Sequence, residues 1–208
     1  MKGEVDFNRS FLLDQNPSEE LKKRVDDYFS KMIKMQGKNR LGFKITGPSR
    51  ISFLKNIFPD AKFIWIKRNF FAVLHSFLNV NFWKNKGYAQ LWFYDAFTNQ
   101  EKDYALKFKN DPIMLTAIQL KKIINITEYE INQKNPDIIT VQYESFLDNP
   151  INSLKFILDF SELPYDKACE HYIRKNHKKK NKKDYRKLFG FQKYTEIYNL
   201  LQYNSIFT

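Results

Sequence analysis

The chain has 208 residues, 43% hydrophobic and 17% aromatic, with six glycines; such a chain buries a core, which excludes a disordered protein. Its 35 basic and 23 acidic side chains leave a net charge of +12, which suits an anionic partner: nucleic acid, a phosphate-bearing cofactor, an acidic acceptor or an acidic membrane surface. Codon bias toward Lys, Asn, Ile and Phe accounts for much of that charge equally well.

The segment NPSEELKKRVDDYFSKMIKMQG places Asn16 as N-cap, Pro17 at the first helical position and Glu19 in a capping box. Leu21, Val25, Tyr28, Met32 and Met35 then share a helical face, and Gly37 ends the helix. RLGFKIT (40–46) reads as a short strand and GPSRISFLKNIF (47–58) as a short helix stopped by Pro59. AKFIWIK (61–67) reads as a second strand, too apolar to alternate and so expected to be covered on both faces. Residues 69–80 form a helix. The stretch 81–110 has weak periodicity, with Trp83, Tyr88, Trp92, Phe93 and Tyr94 crowded among polar residues; it reads as a mobile excursion with about one helix.

Asp111–Pro112 opens a long helix running toward Asn135–Pro136. DIITVQY (137–143) is the third strand, NPINSLKFILDF (149–160) a helix capped by Asn149, and a further helix follows Pro164. The Lys-rich HKKKNKKDYRK (177–187) leads to a final helix near 190–203. Strands separated by helices imply parallel β-α units, and without repeats or a linker the whole of 1–208 is expected to be one α/β domain.

A single cysteine, Cys169, excludes an intrachain disulfide and a multi-cysteine zinc site, and His75, His171 and His177 lack metal-ligand spacing; no metal is expected. MKGEVDFNRS lacks the apolar core of a signal peptide, and no apolar run approaches the ~20 residues of a membrane span. A cytoplasmic protein is expected.

Open α/β sheets bind ligands beyond the carboxyl ends of their strands. Three such ends carry polar groups here: Lys44 with Thr46, Lys67 with Arg68, and Tyr143 with Glu144. Arg68 leaves its strand where a helix begins, so free backbone N–H groups and the helix dipole already favour an anion. A guanidinium fork adds bidentate bonds to a phosphate that a lysine cannot reproduce. Ser76, eight positions later, adds a hydroxyl if the ligand lies along that helix. Each residue also suits a plainer role: Arg68 at the surface capping its strand, Ser76 bonding back to its own helix, Lys44 pairing with a carboxylate, Tyr143 in the core. Likewise the Lys run 178–183 suits a solvated face, and Trp83 and Trp92 suit lid or core packing.

KITGPSRISFLKNIFPDAKFIWIKRNFFAVLHSFL closely resembles the sulfotransferases that use 3′-phosphoadenosine 5′-phosphosulfate (PAPS), especially their bacterial-type branch. VQYESFLDNPINSLKFILDFSELPYD is similar to that family's second landmark, and NKKDYRK more loosely to a basic segment near its C-terminus. The resemblance spans about residues 40 to 190. It implies a three-layer, mostly parallel sheet flanked by helices, the P-loop-like sulfotransferase fold. It also implies PAPS as sulfuryl donor and a small-molecule, carbohydrate or lipid acceptor, with 81–110 as lid or acceptor region. In the family pattern Arg68 and Ser76 fall where the 3′-phosphate is bound. Lys44 matches the lysine near the departing phosphate, where it would meet developing negative charge. Tyr143 matches a tyrosine near the adenine, and Lys182, Lys183 and Arg186 lie in the late basic segment.

Two departures stand out. Asn69 and Phe71 occupy places where the family usually has Asp and a second Arg. The glycines do not cluster, so the family's N-terminal 5′-phosphosulfate loop, a nest of backbone N–H groups, has no counterpart and the fold is expected to be N-terminally incomplete. At roughly 1.5–3 kcal/mol per hydrogen bond to a charged group, losing three weakens binding on the order of a thousandfold. Either the remaining strands close up, a partner chain or oligomer supplies the piece and completes the sheet, or the chain is a shortened gene product. Glu144 and His75 qualify as bases by chemistry only. Three readings follow: a PAPS-dependent sulfotransferase, a catalytically silent module that binds PAPS, its product adenosine 3′,5′-bisphosphate (PAP) or a partner, and, least favoured for want of a recognition motif, a basic nucleic-acid binder.

Overall fold

The computed structural model describes residues 9–13, 15–177 and 183–202. The chain alternates helices with a small parallel sheet, the α/β class expected. Its elements are α1 (Glu19–Gln36), α2 (Ile51–Ile57), β1 (Phe63–Lys67), α3 (Phe70–Phe77), α4 (Asn81–Lys84), a 3-10 turn (Tyr94–Ala96), α5 (Asn99–Leu106), α6 (Pro112–Lys134) and β2 (Ile138–Gln142). Then come α7 (Tyr143–Asp148), α8 (Pro150–Phe160), α9 (Lys167–Asn176), α10 (Tyr185–Phe189) and α11 (Phe191–Gln202).

Among the described residues the sheet has two strands, paired parallel from Phe63↔Ile138 to Lys67↔Gln142. Both strands enter beside an ionic clip: Lys62, just before β1, reaches Asp137, just before β2, at 3.4 Å and Glu162 at 2.9 Å, while the Phe63 N–H donates to the Asp137 carbonyl. The clip fixes which residue faces which, and a one-residue slip would turn every side chain to the other face. Contrary to the sequence reading, β1 does alternate. Ile64 and Ile66 are 40% and 50% exposed, so one face of this strand is open rather than covered.

The strand expected at 40–46 does not form. Pairing is what makes an extended segment a strand, and Phe43 turns instead to an aromatic cluster, stacked on Phe29 of α1 at 5.7 Å and tilted against Phe58 at 6.3 Å. The α1 cap also shifts: Ser18, not Asn16, is the N-cap, its hydroxyl accepting from the Leu21 N–H, while Gly37 closes the helix at φ 59° as expected.

The core is organised by α6, capped by Asp111 through the Ile113 and Met114 N–H groups and ended by Asn135 at φ 40°. Around it pack Leu74 of α3, Ile197 and Leu200 of α11, and, from the expected excursion, Trp83, Phe93 and Phe97. That stretch is anchored rather than loose, and it contains α4, the 3-10 turn and the whole of α5. Its aromatic side chains escape a helical period because short elements separated by turns carry them inward. The Trp83 Nε1–H donates to Thr116 Oγ1 at 3.0 Å; the Gln119 side chain takes the Trp92 N–H at 2.6 Å and donates to the Gly87 carbonyl at 3.1 Å. Gly87 lies against the Trp83 ring, where any Cβ would overlap it.

Glu101 is fully buried, closes the capping box of α5 and receives Lys122 Nζ on both carboxylate oxygens at 2.7 and 2.9 Å. Removing one partner strands a buried charge. Lys122→Ala is therefore expected to lower the stability by about 3–5 kcal/mol, whereas Lys122→Met combined with Glu101→Gln costs much less; chemical denaturation of both variants checks this.

Candidate active site

Parallel pairing brings the ends of β1 and β2 to the same edge, so Arg68 meets Tyr143 and Asn69 meets Glu144 although 75 residues separate each pair. The Arg68 guanidinium lies 4.7 Å over the Tyr143 ring, and both side chains are half-buried. Among the described residues Arg68 has no carboxylate partner, whereas its neighbour Lys67 is bound to Glu128 at 2.7 Å. The basic pair thus divides: one cation is spent within the fold and the other keeps its charge for something else.

Asn69 caps α3, its side-chain oxygen accepting from the Ala72 N–H at 3.1 Å, and its own N–H donates to Glu144 Oε1 at 3.0 Å. The carboxylate beside the N-terminal end of this helix therefore comes from Glu144, not from position 69. Ser76, on the last turn of α3, is exposed; among the described residues its hydroxyl bonds neither to its own helix nor to Arg68.

The late basic segment folds back onto α3. Phe71 stacks on Tyr194 of α11 at 4.3 Å and meets Tyr185 and Phe189 of α10. Arg186 lies 5.6 Å over the Tyr194 ring and 5.7 Å over Phe191. Lys183 comes near His75: burial first and the Lys183 charge second hold the His75 imidazole below its ordinary value of 6.5. Lys183 and Arg186 thus approach the helix that carries Ser76, while Lys182 lies outside the described residues. Phe71 accounts for this: an arginine there would forfeit the aromatic stack that seats α10 and α11.

Lys44 and Thr46 stand in the extended loop before α2, both exposed. Buried groups shape the loop. Arg50, at φ 53°, is 2% exposed and donates to the carbonyls of Ser10 and Pro48. Glu130 of α6, 1% exposed, accepts from the Ser49 hydroxyl at 2.5 Å and from the Ile51 and Ser52 N–H groups at 3.1 and 2.9 Å. It therefore satisfies the start of α2 as a substitute cap. Lys44 pairs with no acid among the described residues. Across from it, Phe77, Phe82, Trp83 and Trp92 close a cleft of about 590 Å³.

The structure thus brings together Arg68 and Tyr143, draws Lys183 and Arg186 toward the α3 flank, and sets Lys44 apart on a cleft with Phe77, the residue after Ser76. Glu144 and His75 do not line that cleft. The positioning residues Glu130 and Gln119 escaped the sequence reading. Their signal was present: Thr116, Gln119, Ile126 and Glu130 fall at steps of three, seven and four on one buried face of α6. Among the described residues no group of His, Cys, Asp or Glu could hold a metal ion, and no helix is long and apolar enough to cross a membrane.

A sequence profile described as "Sulfotransferase family" matches residues 28–167, about two thirds of the chain. The chain belongs to the sulfotransferase family. The matched span contains Lys44, Arg68, Ser76 and Tyr143 and ends before Lys183 and Arg186. No curated protein and no solved structure matches the chain.

Two measurements check this geometry. Because His75 titrates below 6.5 in the folded state, the unfolded chain takes up a proton first, and this group lowers stability as pH falls from 6.5 through the folded value. Lys183→Ala removes one cause and should move the His75 midpoint upward in an NMR titration. Glu130→Ala leaves three buried or half-buried donors unmet. A loss of about 2 kcal/mol or more is expected, with faster amide exchange at Ile51 and Ser52.

Proposed function

We propose that this member of the sulfotransferase family moves a sulfuryl group from PAPS to a hydroxyl or amine acceptor. The observation that carries the reading is the Arg68 guanidinium, seated on Tyr143 at the carboxyl edge of the sheet with no acid to neutralise it among the described residues. The residues suit the 3′-phosphate end of the donor: Arg68 offers a fork of donors, Ser76 a hydroxyl unbonded among the described residues, and Lys183 and Arg186 added positive charge along α3. Tyr143 suits the adenine as an aromatic surface. When bound, PAPS supplies an electrophilic sulfur and a phosphate leaving group. Lys44 would offer an ammonium to the negative charge of that phosphate. Glu144 holds the Asn69 N–H and so sets the entry of α3, orienting Arg68 beside it.

A second reading, a module that binds PAP without transfer, is favoured by Lys44 standing alone. Arg50, the other cation on the cleft, is committed to backbone carbonyls.

Titration with PAP should raise the melting temperature, since a ligand selective for the folded state stabilises it by about 2.7 kcal/mol at a hundred times its Kd. Arg68→Ala should abolish the rise, and PAP should move the His75 midpoint upward by bringing negative charge to α3. No rise, alongside salt-sensitive binding of DNA or RNA, would defeat the proposal in favour of a nucleic-acid role. Transfer of radiolabelled sulfate to an acceptor then separates the enzyme from the silent module.

A further inference from the structure

The second half of α1 and the loop after it are cationic without relief. From Tyr28 to Pro59 the chain holds seven Lys and Arg and no acid, whereas the four acids of α1 all precede Tyr28. Arg40 is tied to Glu162, Arg50 is buried and Lys55 donates to the Ala61 carbonyl. Lys31, Lys34 and Lys38 are exposed and meet no acid among the described residues.

Apolar surface is interleaved with these cations. Tyr28 is 62% exposed, Met35 87% and Phe43 55%. Phe29 joins the rings, with Tyr28 edge-on at 5.4 Å and Phe43 stacked at 5.7 Å, and Phe58 ties the cluster to the end of α2. Arg24, Tyr28, Lys31 and Met35 fall at steps of four, three and four, so cations and apolar side chains alternate along one face of the helix. None of the 18 residues of α1 is buried; the fold carries this helix without covering it.

A nucleic acid or an acidic protein would engage the lysines but gains little from a methionine held out in water. A second copy would bring the same positive segment against itself. A membrane rich in anionic lipid meets both halves of the surface. Long cationic side chains reach the phosphates while their stems lie on hydrocarbon, tyrosine settles at headgroup level, and an exposed apolar side chain enters the acyl boundary. The overall charge of +12 adds attraction at longer range.

We propose that the face of α1 carrying Arg24, Tyr28, Lys31 and Met35 docks the protein on a membrane surface rich in anionic phospholipid. The helix lies in the headgroup plane, with Met35 at the acyl boundary and Arg24 and Lys31 at the phosphates. Docking uses neither Arg68, Ser76 nor Tyr143, so it stands whether or not the chain transfers sulfate.

The test is co-sedimentation of the full chain with vesicles of phosphatidylcholine alone, or of phosphatidylcholine with an equal share of phosphatidylglycerol. Binding is expected on the mixed vesicles only. It should weaken steeply as salt rises from about 0.1 M to about 1 M, which shortens the screening length from ~10 Å to ~3 Å. Lys31→Gln combined with Lys34→Gln should weaken it about thirtyfold, and Met35→Ser about tenfold. These side chains are exposed, so the melting temperature should not move. Lys107→Gln combined with Lys109→Gln, an equal loss of exposed charge at the turn between α5 and α6, should leave binding as it was. No binding to the mixed vesicles at low salt overturns the proposal. So does an equal loss from the Lys107 and Lys109 changes, which marks diffuse attraction rather than docking through α1. A concentration-dependent dimer that Met35→Ser dissolves gives the face to a second copy and also overturns it. The same holds if a single-stranded oligonucleotide displaces the vesicles and binds the Met35→Ser chain undiminished.

Discussion

Five parallel residue pairs between β1 and β2 set the geometry on which the candidate site depends. With Lys67 opposite Gln142, the next residue on each strand must meet the other, which puts the Arg68 guanidinium on the Tyr143 ring and the Asn69 N–H on the Glu144 carboxylate. The register is held from the opposite end by Lys62, Asp137 and Glu162. There the Lys62 ammonium gains its proton affinity chiefly from the Glu162 hydrogen bond, and the Glu162 carboxyl is held below its ordinary range by Lys62 and Arg40. Lys62 is half-buried but its acidic partners are solvent-exposed, so the clip's worth lies more in selecting one alignment than in adding stability.

The second constraint is α6, a helix whose buried side chains include Thr116, Gln119, Lys121, Lys122, Thr127 and Glu130 as well as apolar residues. Thr127 bonds back to the Ile123 carbonyl of α6, while the others reach separate parts of the chain. Thr116 and Gln119 fasten the aromatic stretch, Lys122 fastens α5, and Glu130 fastens the loop that carries Lys44. Lys121 donates to the carbonyls of Leu200 and Leu201 at the end of α11, and its burial lowers its proton affinity. Leucines at these places would bury more apolar area but would not dictate which loop sits where; fully satisfied buried polar groups do. The aromatic cleft and the free ammonium face each other because one helix holds both walls.

The same division explains what could be read from residues in order. Caps, breakers and periodicity are local, so α6 with Asp111 and Asn135, the Gly37 stop, and the strands FIWIK and IITVQ were legible. The segment 40–46 misled because apolar content alone does not make a strand without a neighbour to pair with. The stretch 81–97 misled because its burial comes from Thr116 and Gln119, residues distant in sequence. For the site, the Arg68–Ser76 spacing and the position of Lys44 were legible through the family resemblance, while Glu130 was passed over within an otherwise apolar helix.

By itself, then, the sequence determined the α/β alternation, the family, and the supply of cations at strand and loop ends, since each is written in short contiguous patterns. Only the tertiary structure decided that Lys67 is neutralised by Glu128 while Arg68 meets no acid among the described residues, and that aromatics from residues 77–93 confront Lys44. Which charge stays available depends on the distance to groups dozens of residues away, and a linear pattern carries no such distance.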